Sequence, residues 1–375
     1  MSRILLSILL ALCSLHAHAH KPSDSYLTMT VAEGNVAGQW DIALRDLDFA
    51  IGLDADNDAN ITWGEVRAKH SDIAAYALSR LQLSSKDQAC PARATEHLID
   101  NHTDGAYAVL RFSAACPASA DGPLQVRYNL FFDLDPQHKG LLQLRHGDAV
   151  RAAIFSPDKA QQEFSPGESG RIAQFVDYAA EGVWHIWIGF DHILFLLALL
   201  LPAVLTRQDR RWRPVEAFSP AFWTVLKIVT AFTIAHSITL SLATLGIVTL
   251  PSRLVESFIA ASVVIAALNN IWPLFSERRW LMAFLFGLIH GFGFASVLAD
   301  LGLPQQTLVL ALIGFNLGVE AGQLAIVAAF LPVAFMLRRS AFYRQVVLLG
   351  GSAAIALLAF LWLLERAFDL QFMPF

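Results

Sequence analysis

After Gly182 the chain is built from long apolar runs separated by short charged ones, and no other feature restricts its fold as strongly. Six runs stand out, at about 183–205, 221–245, 254–275, 280–299, 306–336 and 343–364. Each holds roughly the 20 residues that an α-helix needs to cross a hydrocarbon core. Backbone groups in lipid must satisfy one another, so the runs predict a polytopic α-helical membrane protein with six transmembrane helices. Arginines occupy alternate loops: Arg207, Arg210, Arg211 and Arg213, then Arg278 and Arg279, then Arg338, Arg339 and Arg344. Arg253 and Arg366 are the main exceptions. Positively charged loops stay in the cytoplasm, which puts the N-terminal region and the C-terminus on the outer side.

The apolar bias is confined to that half. The whole chain is 55% hydrophobic and 16% charged, yet residues from about 20 to 180 carry interspersed charge and turn residues. Residues 1–19 read as a signal peptide: Arg3, the apolar stretch "ILLSILLALCSL", then "AHA" as a cleavage site after Ala19. Leu12 ahead of Cys13 is larger than a lipoprotein site accepts. Residues 20–180 then form a periplasmic domain and residues 181–375 the membrane domain, a placement in a bacterial inner membrane. "SYLTMTV", "QWDIAL", "AYAVLRFSA" and "LQVRYNLFFDL" alternate or bury continuously, which predicts a β-rich domain, a small sandwich with one helical insertion over 65–81. Cys90 and Cys116 are the cysteines left after cleavage, and an oxidising compartment favours a disulfide between them. A net charge of −5 gives no basis for nucleic-acid binding; the expected partners are a metal ion and membrane lipid.

Charged and ionisable groups within apolar spans are costly, and here they recur. All four histidines after residue 150 fall within the runs: His185, His192, His236 and His290. His185, Gly189 and His192 follow i, i+4, i+7 spacing and would share one helix face, with Asp191 about 100° away. His185 would lie nearest the outer surface and serve in capture. The second run carries "FTIAHSITL", the fourth "GLIHGFGFA", and the fifth "GFNLGVEAGQ" with Asn316, Glu320 and Gln323. A single intramembrane histidine serves equally well as a hydrogen-bond partner between helices, and Asn316 and Gln323 read as such partners. Four histidines with Asp191 and Glu320 across four runs instead suggest a polar path suited to a divalent transition metal, since imidazole takes nickel, cobalt, zinc or copper.

His185, Gly189, Asp191 and His192 match the form H-x-x-x-G-x-D-H, and through it the chain resembles the HupE/UreJ family of bacterial membrane proteins, in the branch with a large exported N-terminal domain. The proline that usually follows the first histidine is replaced by Ile186. "FTIAHSITL" is similar to the F-x-x-G-H-S segment of nickel/cobalt permeases, with Ala235 at the glycine position, and "GVEAGQLAI" is similar to a glutamate-bearing segment of that superfamily. The resemblance implies a permease for nickel or cobalt. The alternative is a membrane-anchored metal-binding or assembly factor that does not transport. No phosphate-binding loop, G-x-S-x-G or H-E-x-x-H motif is present, so no enzymatic activity is expected.

A second motif lies outside the runs. "DADNDANITWGE", residues 54–65, has the spacing of an EF-hand calcium loop. Asp54, Asp56 and Asp58 take positions 1, 3 and 5, Asn60 offers its carbonyl at 7, and Glu65 supplies position 12. Ala59 replaces the glycine usual at position 6. The plainer reading is an acidic turn ahead of a helix.

Overall fold

Strand alternation begins the fold. β1 (Asp24–Ala32) turns Leu27, Met29 and Val31 into a core, and β2 (Asn35–Ala43) pairs with it antiparallel. The turn between them is Glu33 and Gly34, both at positive φ (49° and 74°), a two-residue geometry whose twist matches that of the strands. In this computed structural model the described residues are 24–58, 60–102, 105–116, 122–147, 149–165, 171–208, 211–272, 278–295, 305–368 and 370. The expected signal peptide and Ala59 lie outside them.

Three helices follow, α1 (Leu44–Ile51), α2 (Trp63–Ala68) and α3 (His70–Ser79). The remaining strands are β3 (Leu81–Ser85), β4 (Gln88–Ala89), β5 (Ala92–His102), β6 (Gly105–Ala115), β7 (Leu124–Tyr128), β8 (Lys139–His146), β9 (Ala149–Phe155) and β10 (Gln161–Phe164). They form a six-stranded sheet, β5-β6-β2-β1-β8-β9, and a four-stranded sheet, β10-β7-β3-β4. Residues of both sheets, among them Trp40, Phe112, Tyr128 and Phe155, share one core. Within it the Trp40 indole donates to Ser25 Oγ (3.1 Å), Ser25 bonds Tyr128 (2.7 Å), and Tyr128 bonds His138 Nε2 (2.6 Å). Burial pushes the Tyr128 phenol well above its ordinary value, so it stays protonated between Ser25 and His138. Cys90 and Cys116 are joined by a disulfide across a Cα separation of 5.0 Å.

The helical insertion differs from the single helix expected over 65–81. Thr62 and Glu65 form a reciprocal cap that starts α2, and the chain bends at Lys69 before α3. α1 was not expected, because its buried Leu44 and Leu47 continue the apolar end of β2, and only Gly52 at φ 65° marks where it stops.

The apolar half contains α4 (Arg171–Ile188), α5 (Phe190–Leu200), a short hairpin of β11 (Leu205–Gln208) and β12 (Arg211–Pro214), α6 (Phe218–Thr244), α7 (Ser252–Ile271), α8 (Arg279–His290), α9 (Gln305–Leu337) and α10 (Tyr343–Phe368). Four of these are long and apolar enough to cross a membrane: α6, α7, α9 from Thr307, and α10. The expected first span is instead a pair, α4 and α5, bent by 71° at Gly189. Among the described residues of the expected fourth span, 280–299, α8 covers 12 residues, about 18 Å, and a glycine-rich turn follows it from Gly291. α4 begins at Arg171, so the junction expected at 180/181 falls inside a helix.

Small residues bring these helices together. A Cβ on Gly318 would run into the Ala179 carbonyl, and one on Gly291 into Thr239, so α9 lies tight on α4 and α8 tight on α6. The outer face of the six-stranded sheet completes the packing. Tyr26, Tyr107, Leu141 and Ile154 from the strands join Tyr178, Ile186, Leu312 and Phe315 from the helices in one apolar cluster. Two ion pairs clamp α4 to the sheet region, Lys139–Glu181 at 2.8 Å and Lys159–Asp177 at 2.6 Å.

Candidate metal centre

Gly189 sets the geometry of the site. It caps α5 in an extended conformation, and a Cβ there would sit 2.6 Å from the His185 carbonyl, 2.9 Å from Asp191 Oδ1 and 3.0 Å from His192 Nδ1. The bend therefore folds the end of α4 back onto the first turn of α5. His185 and His192 do not share a helix face as expected; they come from two helices, with ring centroids 4.5 Å apart. His236 of α6 lies 6.3 Å from each of them, and His290, the last residue of α8, lies 5.2 Å from His192. Ligand atoms of His185, His192 and His236 fall within 4.8 Å of one another, as do those of Asp191, His192 and His290.

Each of three rings is held by one nitrogen and leaves the other without a partner. His192 Nδ1–H donates to Asp191 Oδ1 (2.9 Å). Asn316 Nδ2 donates to the Leu312 carbonyl, which turns its Oδ1 toward His236 Nδ1 (3.3 Å). Ser262 Oγ donates to the Ile259 carbonyl (2.6 Å) and accepts from His290 Nε2–H (2.9 Å). These bonds fix the tautomers, so the lone pairs of His192 Nε2, His236 Nε2 and His290 Nδ1 are free. Those three nitrogens and His185 Nε2 are all buried without a hydrogen-bond partner. A buried polar atom left unpaired costs about 1–3 kcal/mol. Four would cost ~4–12 kcal/mol, comparable to the net stability of a whole domain. Helix packing alone does not account for such a cluster, and its donor set is of the kind that holds a cation. Asp191 sets a carboxylate against the His192 ring, the carboxylate–histidine pairing commonly found behind a metal.

Aromatic rings wall the centre. Phe195 and Phe232 stand 4.9 and 5.4 Å from His290, and Phe294 and Phe315, stacked at 4.4 Å, stand 5.0 and 5.2 Å from His185. His185 is thus part of the cluster rather than a separate outer group. Glu320 lies outside both ligand groups and accepts from Thr230 Oγ1 (2.8 Å), while Gln323 accepts from Thr233 Oγ1 (3.2 Å). Thr230 is six residues before His236, about 9 Å along α6. Ser262 was not singled out from the sequence, although a lone hydroxyl in "IAASVVIAAL" was a signal to weigh.

The acidic loop is arranged differently. Oxygens of Asp54, Asp56 and Asp58 fall within 4.8 Å of one another. Glu65 Oε1 accepts from Ala55 N (2.8 Å) and Oε2 from Thr62 N (2.8 Å), and Asn60 N donates to Asp58 Oδ1 (2.7 Å).

The profile of the HupE / UreJ protein family matches residues 161–366, more than half of the chain. The chain belongs to the HupE/UreJ family. The matched range runs from β10 through α10 and holds every residue of the buried centre; the strands β1 to β9 lie before it. The family is linked to nickel and cobalt transport and to urease and hydrogenase maturation. No curated protein matches the chain.

Proposed function

We propose that this HupE/UreJ protein carries a divalent transition metal, nickel or cobalt by family, across a bacterial inner membrane. Four buried imidazole nitrogens without a partner, on histidines that fall into two ligand groups sharing His192, carry the reading. In it His185, His192, His236 and His290 are the ligands, and Asp191, Asn316 and Ser262 hold three of them in register. Glu320 and Gln323 continue the polar track between α6 and α9 toward the arginine-rich side. The chain passes the membrane six times, the first passage broken at Gly189. The sheets stand in the periplasm, as the arginine distribution favours, and the membrane potential drives cation entry toward the cytoplasm. The Phe294–Phe315 stack beside His185 makes this conformation a closed one. A chain that bound metal without moving it would instead serve as a metal-binding or assembly factor. Cellular nickel and cobalt accumulation tests the choice: expression raises it, and His192→Ala at equal membrane abundance abolishes the gain. No gain with the native chain, alongside metal binding by the purified protein, would turn the reading to the assembly factor.

A further inference from the structure

Unpartnered polar atoms do not stop at the four imidazoles. Tyr178 Oη and Thr244 Oγ1 are also shut away from solvent without a hydrogen-bond partner, and their residues are 2% and 8% exposed. Gln174 Nε2, one turn before Tyr178, is a third such atom. Tyr178 precedes His185 by seven residues, two turns of α4, and so lies on the same helix face. Thr244 follows His236 by eight residues on α6. α4 runs toward the centre and α6 away from it. At ~1.5 Å per residue the backbones of Tyr178 and Thr244 therefore lie about 10–12 Å along their helices from His185 and His236, toward the same side. That side is the one covered by the six-stranded sheet, since Tyr178 packs in one cluster with Tyr26 and Tyr107 of the strands and Leu240 of α6. A buried hydroxyl with no partner is destabilising unless a water or an ion completes it.

We infer that Tyr178 and Thr244 line the route by which a partly hydrated divalent cation reaches the histidine centre from beneath the sheet. The inference rests on reading that centre as a metal site and adds the direction and the residues of approach. Neutral hydroxyl oxygens suit this task, because they replace departing waters without holding the ion as carboxylates would. The carboxylates at the same level, Asp177 and Glu181, are tied to Lys159 and Lys139. Beyond the hydroxyls the Phe294–Phe315 stack stands against His185, so the last step of the route passes those rings.

The test uses the full chain in detergent and Co²⁺ alone, with the absorption of histidine-bound cobalt followed in a stopped-flow mixer. Tyr178→Phe and Thr244→Val each remove one hydroxyl with little change in volume. Each is expected to load about fivefold more slowly, the loss of one hydrogen bond to the water shell of the moving ion, while cobalt bound per chain at equilibrium is unchanged. A purely structural role for the hydroxyls would shift Tm and leave the loading rate alone. Wild-type loading rates in both variants would overturn the route. Should Tyr178→Phe fail to fold, Thr244→Val on the other helix decides the matter by itself. If the native chain gives no histidine-type cobalt band, the reading of the centre falls and the route with it.

Discussion

Among the described residues two places gather metal-type side chains, and they differ in how their lone pairs are engaged. In the exposed loop the carboxylates of Asp54, Asp56 and Asp58 approach one another, but they and Glu65 already accept backbone N–H groups of the same loop. Water reaches them, so mutual repulsion is screened and nothing further is required. In the buried centre three imidazoles each have one nitrogen fixed by a partner, and all four have one left without any. Aromatic rings wall the centre, and nitrogens left without a partner there raise the energy of the folded chain. Proximity of ligand-type residues is common to both places; free, oriented, desolvated lone pairs belong to one.

The sharpest way to break this contrast is His192→Ala. His192 belongs to both ligand groups, so its loss is expected to weaken cobalt binding by more than about 100-fold, beyond the 10–100-fold that removing a residue behind a ligand costs. Titration of the purified variant checks this, and near-native affinity would dissolve the centre. Gly189→Ala comes next, because its Cβ meets the His185 carbonyl and Asp191 together. A lower Tm and lost cobalt binding are expected in the same protein. Asp191→Asn and Ser262→Ala should each weaken binding by roughly tenfold or more, through a ring no longer held in its tautomer. Glu320→Gln is expected to leave equilibrium binding within about twofold and to slow cellular accumulation, since Glu320 faces Thr230 and not the cluster.

The loop supplies the smallest effect. The N–H groups of Thr62 and Ala55 hold the Glu65 carboxyl below its ordinary value of 4.5. A carboxyl lowered on folding stabilises the loop above that ordinary value, and the contribution is lost as pH falls through the lower folded value. The protection factor of the Ala55 amide, its exchange divided into the intrinsic rate at each pH, should therefore fall at the acid end and stay flat near neutrality. Millimolar calcium, proposed to enter the Asp54–Asp56–Asp58 group, is expected to raise Tm of the full chain by no more than a few degrees. A large shift would place the loop beside the buried centre as a second true metal site.

Much of the membrane half was readable because apolar runs of helical length have few other folds open to them. The break at Gly189 was not, since a glycine within an apolar run reads equally as a packing contact. That single missed bend misplaced His185, which was expected near the surface and stands 4.5 Å from His192. The histidines themselves were legible because a bilayer makes each one expensive. Glu320 carried the same signal, but its partner Thr230 lies 90 residues away in sequence, a pairing that no local pattern discloses. In the β-rich region alternation found the strands, and α1 escaped because two leucines three apart fit the end of a strand as well as a helix.

The central claim is that imidazoles, and not loop carboxylates, form the metal site. X-ray absorption on the full chain loaded with one equivalent of Co²⁺ or Ni²⁺ tests it most directly. The account predicts an imidazole-rich shell, with the multiple-scattering signature of three or four histidines, that loses one ring in His290→Ala. An oxygen-only shell, unchanged in His290→Ala and His192→Ala, would contradict it.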